Sequence, residues 1–226
     1  MRKLLVSVHI ALLVLLAACE QEIYEKGDGQ LSYMRADFVE AFVNADKQVN
    51  RVVTDNDDEL TLATPYSADW ISRPDTTYRA VLYYNKVDSR AELLGLGRVT
   101  TLSLRRDSSA VSKWNPDPIG METAWVGHNL RYLNLGLVLK IGATDKDATP
   151  QSVSMLHGGI TVNADSTQTL RLLFNHQQGD VPEYYSQRAY VSVPLSGLTV
   201  DSVRLTVVTY DGTVVRTFPI QKKSDY

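Results

Sequence analysis

The stretch RYLNLGLVLKI, residues 131–141, decides the fold. Leu133, Leu135, Leu137, Leu139 and Ile141 alternate with Tyr132, Asn134, Gly136, Val138 and Lys140, the two-residue period of a strand with one buried face and one mixed face. Wound as a helix, those five apolar residues would spread around the axis and bury no common stripe. The same device recurs downstream. TLRLLFNH (169–176) alternates Leu170, Leu172 and Phe174, and RAYVSVPL (188–195) alternates Ala189, Val191, Val193 and Leu195. Pro194 marks that run as an edge strand, because proline donates nothing to a ladder. SVRLTVVTYDGTVVRTFPI (202–220) reads as a hairpin about Asp211 and Gly212, residues that tolerate a positive φ in a two-residue turn. Roughly six strands in about 100 residues suggest an antiparallel β-sandwich.

Upstream of this region the alternation continues with another spacing. YMRADFVEAFV (33–43) puts Met34, Ala36, Phe38 and Phe42 on one face, with Glu40 as the exception. NADK (44–47), a turn, leads to QVNRVVT (48–54); DNDD (55–58), another turn, leads to ELTLAT (59–64). After a loop carrying Pro65, Trp70 and Pro74 come TYRAVLYYNKV (77–87) and GRVTTLSLR (97–105). Five strands in about 75 residues fit a small closed barrel, since closure removes the exposed edges of an open sheet. DSSAVSKWNPDPIG (107–120) then breaks the pattern with Pro116, Pro118 and Gly120. The organisation expected is all-β, an OB-like small barrel at 31–110 followed by a β-sandwich at 111–226.

The N-terminus has its own logic. Arg2 and Lys3 precede an apolar run from Leu4 to Leu16, and Ala17 and Ala18 lead to Cys19, the layout of a secretory signal peptide. The run is shorter than the about 20 residues of a membrane span. LAAC (16–19) resembles the lipobox of bacterial lipoproteins, in which the cysteine takes a thioether-linked diacylglycerol on its sulfur and cleavage before it leaves that cysteine as the new N-terminus. The expectation is a signal peptide at 1–18, lipidation at Cys19, and a polar tether at 19–30 containing Gly27 and Gly29. Two or more acyl chains anchor stably where one does not. Cys19 is the single cysteine, so the exported chain holds no disulfide and its stability rests on packed cores. Removing Arg2 and Lys3 from 23 basic residues leaves 21 against 26 acidic ones, a net charge of −5. A mildly acidic chain without a basic run lacks the footprint of a nucleic-acid binder.

Chemistry shows weakly. Asp55, Asp57 and Glu59 imitate the start of an EF-hand loop, but Leu60 replaces the turn glycine and Tyr66 stands where the bidentate glutamate belongs. A solvated hairpin turn is the better reading. TDKDAT, with Asp145 and Asp147, is likewise a polar turn. If SMLHGGITV (154–162) and TLRLLFNH close a hairpin at NADS (163–166), His157 faces about Leu172 and leaves His176 residues away, too far for a shared metal. GLGR (95–98) reads as a turn, and HExxH, CxxC, GxSxG and P-loop patterns do not occur. No metal or cofactor is expected. The aromatics are the best binding candidates: Trp114 and Trp125 flank the break, and Tyr184 and Tyr185 follow GDVPE. Such rings stack on sugar faces or anchor protein partners.

YRAVLYY (78–84), LRYLNLGLVLKI (130–141), TLRLLFNHQQGD (169–180) and VTYDGTVV (208–215), behind a lipobox and tether, resemble the NigD-like lipoproteins of Bacteroidota. The resemblance implies an N-terminal OB-like domain, a C-terminal β-sandwich and a link to bacteriocin production or immunity. It brings no active-site residues. The function expected is a non-enzymatic binding module on the outer membrane, held through Cys19 and facing the surface or the periplasm. Its partner would be an envelope protein or, in the alternative, a glycan; a hydrolase comes third.

Overall fold

The protein, a computed structural model, is described over residues 34–221. The signal peptide, Cys19, the tether and the first residues of the expected barrel domain lie outside the described residues.

Five strands, β1 (Arg35–Val43), β2 (Val49–Thr54), β3 (Glu59–Tyr66), β4 (Thr76–Val87) and β5 (Arg90–Arg98), close a barrel in the order β1-β2-β3-β5-β4. This is the expected OB-like barrel, sealed by a short parallel contact of β3 with β5. Its interior holds Val39, Ala41, Val52, Leu60, Leu82 and Tyr84, all essentially without solvent exposure. Turn chemistry is local. The Asn44 side chain accepts from the backbone N–H of Asp46 and Gln48, and the Thr54 hydroxyl accepts from those of Asn56 and Asp58, so both hairpins close on a side chain preceding the turn.

One sequence expectation gains its location here and one changes. Ala36, Phe38 and Phe42 do share a face of β1, but it is the outer one, and Val39, Ala41 and Val43 point inward. A tight barrel favours small and β-branched residues inside, while Phe42 lies beneath the Arg51 guanidinium at 3.8 Å. GLGR is not a turn; it ends β5, with Gly95 opposite Tyr83, Leu96 opposite Leu82 and Arg98 opposite Ala80.

The chain leaves the barrel after Arg98. The next residues, expected to complete it, form β6 (Thr100–Thr101) and β7 (Leu104–Arg105), which pair instead with the sandwich. The change of partner thus falls about ten residues before the expected border at 110–111, because only Gly97 and Arg98 of GRVTTLSLR stay in the barrel and the rest is divided between the two sandwich sheets. A single-turn helix, α1 (Ser108–Ser112), is capped by Asp107, which accepts from the Ala110 N–H at 2.9 Å.

The remaining strands are β8 (Gly120–Val126), β9 (Tyr132–Ile141), β10 (Ser152–Val162), β11 (Gln168–Gln177), β12 (Tyr185–Pro194), β13 (Ser202–Thr209) and β14 (Gly212–Pro219). They form one sheet of order β14-β13-β11-β10-β7 and another of order β6-β12-β9-β8. The hairpin pairs are antiparallel, whereas β11 with β13 and the short β6 and β7 pair in parallel. Leu133, Leu135, Leu137, Leu170, Leu172, Phe174, Val191 and Val193 meet between the sheets, the alternating positions read from the sequence. β12 is not the edge strand expected, since it lies between β6 and β9, but β6 covers only Val191 and Ser192; the Leu195 N–H donates toward β9, at Arg131 O, so the Pro194 nitrogen faces the side left open. The last hairpin turns one residue earlier than expected: Thr209 pairs with Gly212, Tyr210 and Asp211 form the turn, and Gly212 carries the positive φ of 118°.

Candidate functional site

The barrel meets the sandwich through polar groups that the strand pattern places on outer faces. In β4 the inward residues are Tyr78, Ala80, Leu82 and Tyr84, which sends Arg79 outward. Its Nη2 donates to Asp55 Oδ2 at 2.5 Å and Asn134 Oδ1 at 3.1 Å, and its Nε to Ser192 Oγ at 3.2 Å. Asn134 Nδ2 donates to the same Asp55 oxygen at 2.9 Å, and Ser192 Oγ to Asn134 Oδ1 at 2.7 Å. The guanidinium also lies 4.1 Å from the Tyr132 ring centroid. With side chains 2% and 12% exposed, Arg79 and Asp55 form a desolvated ion pair, which geometry and further hydrogen bonds must support. Arg79 Nη1 and Asp55 Oδ1 have no hydrogen-bond partner among the described residues.

A wetter ring surrounds this centre. Arg131 bridges Glu40 at 2.6 Å and Asp57 at 2.5 Å, and Tyr132 OH donates to Glu40 Oε1 at 2.9 Å. Burial, then the hydrogen bond to Glu40, push the Tyr132 phenol up to about 12. The Asn129 N–H donates to Asp55 O at 2.9 Å. Gly127 permits this approach: a Cβ there would lie 2.8 Å from both Cγ and Oδ2 of Asp55. The DNDD stretch is thus the expected hairpin turn with Asn56 and Asp57 exposed, and in addition a docking element through Asp55.

Beside the junction opens a cleft of about 570 Å³, a size and place common among ligand sites. The barrel contributes Phe38, Val81 and Tyr83 from outer faces of β1 and β4; the sandwich contributes Thr123, Trp125 and Tyr190. Phe38 meets Trp125 and Tyr190 at 5.1 and 5.4 Å between centroids, near-perpendicular in both cases, the edge-to-face arrangement aromatic quadrupoles favour. Asp37, Asp55, Asn56 and His128 supply polar groups. Asp37 already accepts from Tyr84 OH at 2.9 Å, and burial first, then Asp37, raise that phenol to about 12.

The sequence candidates scatter. Trp125 is half-buried in the cleft wall. Trp114 is half-buried elsewhere, its Nε1 donating to Phe174 O at 3.1 Å. Tyr184 and Tyr185, 75% and 69% exposed, sit at the end of β12 remote from the barrel, since Tyr185 pairs with Ile141 and Ser192 with Asn134. His157 does face Leu172. His176 is buried, with Nδ1 against the carbonyls of Asp117 and Pro118 and Nε2 3.0 Å from Gln151 Nε2, so packing and polar satisfaction account for it. Among the described residues no three His, Cys, Asp or Glu side chains converge as a metal site, and no helix is long and apolar enough to cross a membrane. Arg79, Asp55 and Asn134 were missed, although an asparagine within a leucine strand is itself a signal of a buried polar contact.

A closed five-stranded barrel joined to a two-sheet sandwich through a buried polar network, with an aromatic cleft alongside, defines a class of two-part all-β proteins. The sequence pattern of the NigD-like C-terminal beta sandwich domain matches residues 104–219, just over half of the chain, and the chain belongs to the NigD-like family. Solved structures share the fold across both parts. A "Putative TOXIN related protein" from Parabacteroides distasonis ATCC 8503 is 16% identical, with TM-score 0.64 over 84% of this chain and 95% of its own. A NigD-like immunity protein from Bacteroides caccae ATCC 43185 is 19% identical, with TM-score 0.60 over 83% and 97%. A "Putative lipoprotein" from Bacteroides fragilis NCTC 9343 is 11% identical, with TM-score 0.57 over 85% and 100%. Curated proteins give no match.

Proposed function

We propose that this protein is a non-enzymatic, lipid-anchored binding module of the cell envelope, tethered to the outer membrane through Cys19, with the barrel–sandwich cleft as its binding site. The observation that carries the reading is the cleft itself: aromatic side chains from the barrel and the sandwich converge there, around Phe38, on a junction fixed by the Asp55–Arg79 pair. Its carboxylates are engaged in structure, Asp55 by Arg79 and Asn134 and Asp37 by Tyr84, which suits recognition better than acid–base chemistry. The lipobox-like LAAC and the structural likeness to a protein named as a lipoprotein support the anchor. The likeness to a protein named as an immunity protein supports a bacteriocin-associated role. Mild crosslinking in intact cells followed by affinity capture tests the site: a partner held by wild type should be lost from Trp125→Ala and kept by Tyr185→Ala. Retention by Trp125→Ala would move the site out of the cleft.

A further inference from the structure

The strand register lays a tyrosine across a glycine on each wall of the cleft. Tyr190 pairs across β12 and β9 with Gly136, where a Cβ would stand 3.4 Å from Tyr190 Cε1 and 2.9 Å from Thr123 Cγ2. Tyr83 pairs across β4 and β5 with Gly95, where a Cβ would stand 3.7 Å from Tyr83 Cδ2. A ring beside a missing side chain lies down along its sheet instead of standing up from it, the same cross-strand packing by which an aromatic covers a glycine in a β-sheet. Both rings line the cleft, one from the barrel and one from the sandwich. Each therefore offers ring surface held in place before any ligand arrives, which lowers the ordering cost of stacking.

Charge narrows the ligand. The ionisable groups lining the cleft are Asp37, Asp55, His128 and the tyrosines. Asp55 is neutralised by Arg79 at 2.5 Å. Asp37 is held by the Tyr84 hydroxyl, and Arg35 opposes its effect on that same phenol. The lining holds neither lysine nor arginine, and Arg188, near Tyr190, is already paired with Glu122, so a phosphate, sulfate or uronate gains little; Asp37 is the one carboxylate without an ion-pair partner, and with Tyr84 on its Oδ2 it offers a basic peptide a single charge at most. What remains complementary is a neutral molecule with apolar faces for the rings and hydroxyl groups for Asn56, Thr123 and His128. We infer that the cleft binds a neutral oligosaccharide, its pyranose faces stacked on Tyr83 and Tyr190. The inference rests on the cleft being the binding site.

The test titrates detergent-solubilised full-length protein with maltotriose, xylotriose, mannotriose and chitotriose, and with trigalacturonate and tetralysine as charged probes, following tryptophan emission and heat. At least one neutral trisaccharide should bind and shift the emission of Trp125. Tyr83→Ala and Tyr190→Ala should each weaken it about fivefold or more, and Tyr83→Phe should hold within about twofold, because the ring and not the hydroxyl does the stacking. Tyr83 is half-exposed on the barrel's outer face, so its alanine variant, though it uncovers Gly95, should stay folded and remain informative if Tyr190→Ala unfolds. Binding of none of the four neutral sugars, or preferential binding of a charged probe, overturns the glycan inference. If the cellular partner is nonetheless lost from Trp125→Ala, the cleft stands as the site with another ligand class; if sugar binds and ignores Tyr83→Ala, the cleft itself is displaced.

Discussion

Asp55 shows why a residue's neighbours in sequence can mislead about its role. Within DNDDE it reads as one carboxylate of a polar turn, and Asn56 and Asp57 beside it are indeed exposed. Nothing local distinguishes the one aspartate that Arg79, from twenty-four positions later, takes out of water. Asp55→Ala should therefore cost about 3–5 kcal/mol in a urea titration, because it strands a buried guanidinium, while Asp55→Leu with Arg79→Met should cost much less than Asp55→Ala. Equal losses would show that the pair contributes shape alone. The tyrosines give a second residue-scale test. Tyr84 and Tyr132 are raised to about 12, first by burial and then by Asp37 and Glu40 respectively. Unfolded phenols ionise near pH 10 while these keep their protons, so between about pH 10 and 12 the folded state binds more protons and stability falls as pH rises. Phenolate absorbance should show late titration and, over the same window, unfolding; Tyr132→Phe should remove part of that pH dependence.

At the level of elements, the sequence was most legible where one face of a strand is buried in a single core. RYLNLGLVLKI and TLRLLFNH place their leucines where alternation says, and the His157–Leu172 register follows from the NADS turn. Legibility failed where a strand has two apolar destinations. Phe38 and Phe42 outweigh Val39 and Ala41 in size, yet the smaller residues line the barrel and Phe38 faces the sandwich. It failed again where glycines sit inside a strand: Gly95 and Gly97 look like a turn, but Tyr83 and Val81 fill the space beside them. Trp125 was recognised as a binding candidate; its partners Tyr83 and Tyr190 were not, since only pairing across strands brings them to one cleft. Turn geometry supplies the element-scale prediction. Gly127→Ala introduces a Cβ 2.8 Å from Asp55 Oδ2 and should destabilise by about 1–3 kcal/mol through overpacking. The loss should shrink when Asp55 is already alanine, and additivity in that double-mutant cycle would contradict the docking of the two turns.

For the whole molecule, the question is whether barrel and sandwich unfold separately. Each has its own apolar cluster, which argues for independence, as does the proline-rich break at 107–120. Against this stands the way the chain crosses between them. After β5 it enters both sandwich sheets within seven residues of Arg98, as β6 and β7, so the sandwich begins before the break. The barrel's Arg79 and the sandwich's Asn134 and Ser192 leave buried polar groups exposed to mutual loss if either part opens alone. Barrel and sandwich correspondingly fall within one compact unit. We expect calorimetry of the intact protein to give a single transition with matching van't Hoff and calorimetric enthalpies. Cleavage within 107–120 should leave the fragments associated, because the cut falls after β6 and β7 and spares the junction. Asp55→Ala should shift this transition downward as one step, barrel and sandwich together. Two transitions in the wild type, or release of a folded barrel on cleavage, would mean that the junction positions the cleft without coupling the folding of its walls.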